Sequence, residues 1–170
     1  MNKEFLKLGL YSFLLAMVLF TIGLMAGKNL EYSSQQVVGF IITVTTLVIT
    51  IYFSVRYIRD NRLSGTLKFG RAFMYGLLIT FFTGLGIALA DFVYVKVINP
   101  DYFPNLVEAY ESSLKETLTV EEFTKQKKQL DSASLSEKLT SYVFMMYFSA
   151  VFWGFFVSLA MAMILKRNQE

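Results

Sequence analysis

Residues 139–165 read LTSYVFMMYFSAVFWGFFVSLAMAMIL, the longest stretch of the chain without a charged side chain. An α-helix needs about 20 apolar residues to cross the roughly 30 Å hydrocarbon core of a bilayer. The stretch is continuously apolar and does not alternate every second residue, as a strand of a membrane barrel would. It therefore predicts a transmembrane helix.

Three further apolar stretches of spanning length precede it, and charged residues bound all four. We place the four spans at about residues 8–27, 34–55, 72–93 and 140–165. The sequence thus predicts an all-α membrane protein with four transmembrane helices, and residues 1–170 form a single integral membrane domain.

The composition supports a membrane protein and excludes several kinds of chemistry. Of 170 residues, 55% are apolar and only 17% are charged, where a soluble domain has about 25%. The chain contains neither Cys nor His, which excludes Cys/His zinc sites, thiol nucleophiles, disulfides and imidazole-based triads. We find no catalytic motif, expect no cofactor or metal, and see no nucleic-acid-binding face.

The distribution of Lys and Arg predicts the orientation in the membrane. Nine of the 16 basic residues lie at the two termini and between spans two and three, whereas ten of the 13 acidic residues lie on the other side. Under the positive-inside rule, both termini are cytoplasmic and residues 99–138 are periplasmic in a bacterial inner membrane. The residues that we assign as topology anchors are Arg56, Arg59, Arg62, Lys68 and Arg71.

The segment 99–138 is too long for an unstructured connection and carries helix signals of its own. Pro104 suits a first helical turn, and Thr119 to Glu122 and Ser134 to Glu137 have the spacing of capping boxes. We predict a short helical hairpin between spans three and four. The simplest interpretation is a hairpin that rests on the bundle or the lipid interface, and the alternative is a lid or partner-binding element.

Two rows of small residues, each with a spacing of four, predict close helix packing in spans three and four. In a bilayer, helices pack tightly only where small side chains let their backbones approach. We interpret the rows as packing within one chain, with dimerisation as the alternative. The rows are Gly76, Thr80, Gly84 and Ala88 in span three, and Ala150, Gly154, Ser158 and Ala162 in span four.

Asp91 is the candidate polar site, because an acidic residue in a span is a functional candidate by default. Its distance along span three puts it near the outer interface, where water would solvate the carboxylate and Lys28 or Lys96 would pair with it. We therefore expect an anchor, with an ion or substrate site as the alternative. Tyr94 and Tyr142 fit an interfacial belt of tyrosines, and Trp153 either packs or lines an apolar ligand cavity.

Two motifs flank span three: Lys68-Phe-Gly-Arg-Ala-Phe73 opens it and Tyr94-Val-Lys-Val-Ile-Asn-Pro-Asp101 follows it. With the four spans and the long helical outer segment, they resemble the DUF4199 family of bacterial membrane proteins, best known from Bacteroidetes. The resemblance covers nearly the whole chain. It implies an inner-membrane location and no catalytic activity, and it assigns no functional residue.

Three functions fit these observations. The first is a non-enzymatic interaction or accessory protein, whose partners are the lipid bilayer and a second copy or another membrane protein. The alternative is a small oligomeric transporter or channel component, which a polar cavity across the bundle would favour. The least favoured is a lipid-active membrane enzyme, which a carboxylate or Arg cluster facing one pocket would favour.

Overall fold

The computed structural model describes residues 3–28, 30 and 32–167. Six α-helices follow one another along this part of the chain, and a single wide π-helical turn, residues 94–98, directly extends the third. The helices are α1 (Lys3–Gly27), α2 (Tyr32–Arg62), α3 (Phe69–Val93), α4 (Tyr102–Thr117), α5 (Val120–Ser132) and α6 (Leu135–Leu165).

Four of these helices are long and apolar enough to cross a membrane. The spanning segments are Lys3–Gly27, Ser34–Arg62, Phe69–Ile98 and Ser136–Leu165. They reach beyond the charge-free stretches because polar residues at both ends continue the helical hydrogen bonding. The described residues include no strand, and the only β-type pairing among them is an isolated bridge between Leu67 and Arg167. The predicted all-α class with four spans is confirmed.

Helix α3 lies at the centre of the bundle and packs against α1, α2 and α6. Its most extensive contact is with α6. A Cβ atom on Gly76 would lie 2.9 Å from the Ser158 Cβ, and one on Gly154 would collide with the Thr80 Cγ2. The two backbones therefore come together only because these positions lack a side chain.

A second close approach joins α3 to α1 and involves a glycine outside the row of four. A Cβ on Gly86 would overlap the carbonyl oxygen of Phe13. The sequence analysis did not single out Gly86, because the row at spacing four follows the face that meets α6. Gly86 lies on a second face of α3, which meets Phe13 and Ala16 of α1.

Hydroxyl groups link the helices at membrane depth. The side chains of Ser12 and Ser54 lie 3.0 Å apart between α1 and α2, and Thr83 donates to Thr50 at 3.1 Å between α3 and α2. Thr80 lies 3.2 Å from the hydroxyl of Ser158 between α3 and α6. Because no water competes in hydrocarbon, such bonds help to fix how the helices are rotated against each other.

The start of α1, the residues that follow α6 up to Arg167 and the α2–α3 loop meet at one end of the bundle, which we call the basic end. Arg62 forms an ion pair of 3.0 Å with Glu4, and Leu67 and Arg167 exchange two backbone hydrogen bonds of 2.8 and 2.9 Å. Arg59 also reaches the carbonyl oxygen of Leu165. The opposite end, which we call the far end, carries the α1–α2 connection and residues 94–138.

The other anchors lie on the same basic end. Arg56 pairs with Asp60 at 3.5 Å, while Lys68 occupies the N-cap of α3 and Arg71 lies exposed in its first turn. Positively charged residues at this end therefore pair with only a few acids, and most of their charge faces the surroundings.

Helices α4 and α5 form the far-end segment and are separated by two residues. Thr119 and Ser134 cap α5 and α6 through complete capping boxes with Glu122 and Glu137. The hydrogen bonds from Thr119 hold the pKa of the exposed Glu122 carboxyl below its ordinary value. Lys127 lies 3.8 Å from Glu111 across the two helices. That they dock as a hairpin stays a prediction.

The α3–α6 contact predicts different tolerance at two glycines of the small rows. Gly154→Ala should lower the free energy of unfolding by about 1–3 kcal/mol, because its methyl group meets Thr80 in a packed interface. Gly84→Ala should be neutral or stabilising, because its Cβ would lie 3.4 Å from the Tyr147 ring, an ordinary contact, and alanine favours the helix. Thermal unfolding in detergent, followed by circular dichroism, measures both. Equal stability of the two variants would contradict the close approach.

Candidate functional site

A cavity of about 620 Å³ opens in the far-end half of the bundle. Helices α1, α2 and α6 form its walls, Asp91 of α3 lies in it, and α4 and α5 contribute residues near the far end. We call it the far-end cavity. Its polar lining residues are Gln35, Gln36, Thr43, Asp91, Lys138, Ser141 and Ser149, and its aromatic ones are Phe20, Phe40, Tyr102, Tyr110, Tyr142 and Trp153.

Asp91 is buried in this cavity and not exposed at the interface, so the expected water-solvated anchor is wrong. Its residue is only 1% exposed, and its Oδ2 atom has no hydrogen-bond partner. Among the described residues no basic side chain forms an ion pair with it. The expected partner Lys96 instead lies over the Phe92 ring, 5.4 Å from its centroid.

The chain after Asp91 explains why water does not reach the carboxyl. The helix does not end there but widens into the π-helical turn, in which the Asn99 N–H bonds to the Tyr94 carbonyl at 2.8 Å. Pro100 then prevents further helix. The turn directs the chain into α4, which covers this end of the bundle. A π-helical turn inside a long helix often marks a functional site.

Two tyrosines that the sequence suggested for an interfacial belt are instead packed inside the protein, and one of them, Tyr142, lies at the carboxyl. Tyr142 of α6 forms a side-chain hydrogen bond with Asp91 and also interacts with Tyr102 of α4. Tyr94 is 1% exposed, and its ring meets that of Tyr102 edge to face at 5.7 Å. The belt prediction is therefore wrong for Tyr94, because α4 folds over it.

The deep end of the cavity is aromatic. Trp153 is 37% exposed and packs edge to face against Phe40 of α2, with 5.0 Å between ring centroids. Both line the cavity together with Gly39, where an added Cβ would meet nothing within 4 Å. The sequence offered two roles for Trp153, packing or lining a cavity, and in the structure the residue does both.

The sequence analysis missed the α2 side of the cavity. Gln35, Gly39 and Thr43 recur every fourth residue and line it together. The signal that could have found them is this polar and small stripe at the start of an otherwise apolar helix. The row Gly76 to Ala88 and the row Ala150 to Ala162 lie in or beside the α3–α6 contact and do not line the cavity.

A second cleft, of about 410 Å³, lies at the basic end between α1 and α2. Its charged lining residues, Arg56 and Asp60, already pair with each other, and Asp60 also accepts a 2.7 Å bond from Arg59. In the part of the chain that the structure describes, no group of three or more acidic residues could hold a metal ion. Among the described residues, the buried side-chain oxygen or nitrogen atom that lacks a hydrogen-bond partner is therefore the Oδ2 atom of Asp91.

Comparison with known proteins places the chain in a family. No curated protein and no solved structure matches it. A family model described as a protein of unknown function, DUF4199, matches residues 7–167, nearly the whole chain, so that the spans, the far-end cavity and Asp91 all lie within the match. The chain belongs to the DUF4199 family.

Proposed function

We propose that this chain is a non-enzymatic accessory protein of a bacterial inner membrane that binds one small amphipathic molecule in its far-end cavity. The single observation that carries the proposal is a roomy, mostly apolar cavity with a buried carboxyl in it whose Oδ2 atom has no partner. Binding sites combine apolar walls with a few placed polar groups in the same way.

The size of the cavity fits a ligand of this kind. Binding pockets for small molecules usually measure about 300–1,000 Å³, and the far-end cavity of about 620 Å³ lies within that range. Several of its apolar lining residues, Phe40, Met145 and Trp153, are also exposed on the outside of the bundle, which leaves the cavity a side opening at membrane depth. Its lining includes Met145 and Met146, whose flexible side chains adapt to apolar ligands.

Packing below the cavity favours binding over passage through the bundle. In the half nearer the basic end, the hydroxyls of Thr50, Thr80 and Thr83 are buried and bonded to neighbouring helices. Leu47 and Ile51 of α2 are fully buried in the same core. A transporter or channel component would require these contacts to open, and a binding protein would not.

Ligand binding predicts saturable quenching of Trp153 fluorescence. Trp153 is the only tryptophan of the chain and lines the deep end of the cavity. Undecanol with a terminal bromine atom should quench it with a hyperbolic dependence on concentration in purified, detergent-solubilised protein. Gly39→Leu should weaken binding at least tenfold, because Gly39 lines the cavity, its Cβ position is open, and the larger side chain would take up cavity space.

Gly70→Leu is the matched control. A Cβ at Gly70 also meets nothing within 4 Å, but the residue lies exposed at the basic end and does not line the cavity. Its quenching curve should match that of the unmodified protein. Quenching that rises linearly without saturation, or that is the same in all three proteins, would mean that the probe reaches Trp153 from the detergent and would refute the binding site.

We also propose that the basic end faces the cytoplasm. The ion pair between Arg62 and Glu4 and the bridge between Leu67 and Arg167 hold the start of α1, the end of α6 and the α2–α3 loop together at this end. Lysine and arginine in short loops are retained on the cytoplasmic side during insertion. The far-end cavity would then open in the outer half of the bilayer.

Cysteine labelling tests this orientation in a chain that has no natural cysteine. In intact cells stripped of the outer membrane, Ser112→Cys on exposed α4 should react with a membrane-impermeant maleimide. Asn61→Cys, exposed at the basic end, should react only after the membrane is permeabilised. The reverse pattern would overturn the orientation, while the binding site would be unaffected.

A further inference from the structure

We infer that the ligand presents a primary ammonium group to the Asp91 carboxylate and extends an apolar chain toward Trp153. This inference rests on the proposed binding function and names the class of molecule that the cavity takes. The ligand is an amphiphilic amine, either a free alkylamine or a lipid with an amine in its head group.

The chain supplies the Asp91 carboxyl with a hydrogen bond from Tyr142 but leaves its Oδ2 atom without a donor. Its Oδ2 atom is buried without a partner, and among the described residues no Lys or Arg pairs with the carboxyl. Burying an ionised carboxylate without a counter-charge is costly in an apolar environment. An ammonium group supplies both the missing positive charge and the missing N–H donor, and such charge-assisted bonds are among the strongest.

Aromatic rings around the carboxyl favour a cation in the same place. Tyr142, which bonds to Asp91, and Tyr102, which interacts with Tyr142, both line the cavity. The faces of aromatic rings attract ammonium groups, and the attraction is stronger where water is excluded. An anionic group at this position would be repelled by the carboxylate instead.

The long axis of the cavity matches the shape of an amphiphile. Tyr142 and Trp153 lie on α6, 11 residues apart, which corresponds to about 16 Å along the helix. Asp91 contacts the first of them, and the second lies with Phe40 at the apolar end. A head group at Asp91 therefore leaves room for an extended alkyl chain that ends near Trp153.

Lys138 distinguishes two sources of such an amine. It lines the cavity one helical turn before Tyr142, toward the far end, and forms no ion pair among the described residues. A phosphate next to the amine, as in phosphatidylethanolamine, could pair with Lys138. A simple alkylamine would not use this residue.

The test compares two probes of equal chain length and equal bromine position. In detergent at pH 7, undecylamine with a terminal bromine should quench Trp153 at about a tenfold lower concentration than the matching undecanol. Asp91→Asn keeps the size of the side chain and removes its charge, so it should bring the amine to the level of the alcohol. Circular dichroism checks that the variant is folded, which we expect because the substitution removes a buried charge without breaking an ion pair.

The outcomes separate this inference from the proposed function. If the amine and the alcohol both saturate with equal affinity, or if Asp91→Asn leaves the preference for the amine unchanged, the cavity binds ligands but the ammonium site is refuted. If neither probe saturates, both proposals fail. The comparison of the two probes on the unmodified protein decides the question even if Asp91→Asn does not fold.

Bromine-labelled phosphatidylethanolamine identifies the source of the amine. Tighter binding than the alkylamine, with the advantage lost in Lys138→Gln, would support the inference with a lipid as ligand. Binding no tighter than that of the alkylamine, and unaffected by Lys138→Gln, would support it with a free amine as ligand.

Discussion

The whole bundle depends on the close approach of α3 and α6. In hydrocarbon, apolar side chains gain nothing by leaving the lipid for a neighbouring helix, so association needs close packing and interhelical hydrogen bonds. Gly76 and Gly154 allow the contact, and Thr80 and Ser158 add a hydrogen bond within it. Once α6 is fixed on α3 near the basic end, α1 and α2 pack on the remaining faces of α3.

The same contact sets the position of the far-end cavity. The half of α6 toward the basic end carries small residues such as Gly154 and Ser158. The half toward the far end carries larger ones, among them Tyr142, Met145 and Met146. These side chains line the cavity between α6 and α2, and α4 closes the space above Asp91. The protein thus combines a tightly packed half with a half that holds an open, mostly apolar volume.

Asp91 is the candidate functional residue, because the hydrogen bond from Tyr142 leaves its buried Oδ2 atom without a partner and no basic residue of the described chain pairs with it. A structural role at the interface would need water or a basic residue at the carboxyl, and the Oδ2 atom has neither a protein partner nor solvent exposure. A buried charge of this kind is retained in a membrane protein for function more readily than for stability. The amine proposed above provides the missing partner.

Much of the fold followed from local features of the sequence. Apolar length determined the number of spans, because a helix must cover the hydrocarbon thickness. The capping boxes at Thr119 and Ser134 determined where α5 and α6 begin, because each depends on residues only three positions apart. Asp91 was also identified from sequence, since an acid next to a span stands out in an apolar context.

The burial of Asp91 was decided by the tertiary structure alone. Counting residues along the helix correctly placed Asp91 near one end of α3. The position along a helix does not, however, indicate which other segments cover the residue. The π-helical turn, the return of α4 and the contact with Tyr142 exclude water there, and each depends on chain segments that are distant in sequence. The sequence determined how many helices can cross the membrane and where the polar residue lies along its helix, and only packing between helices buried that residue in a cavity.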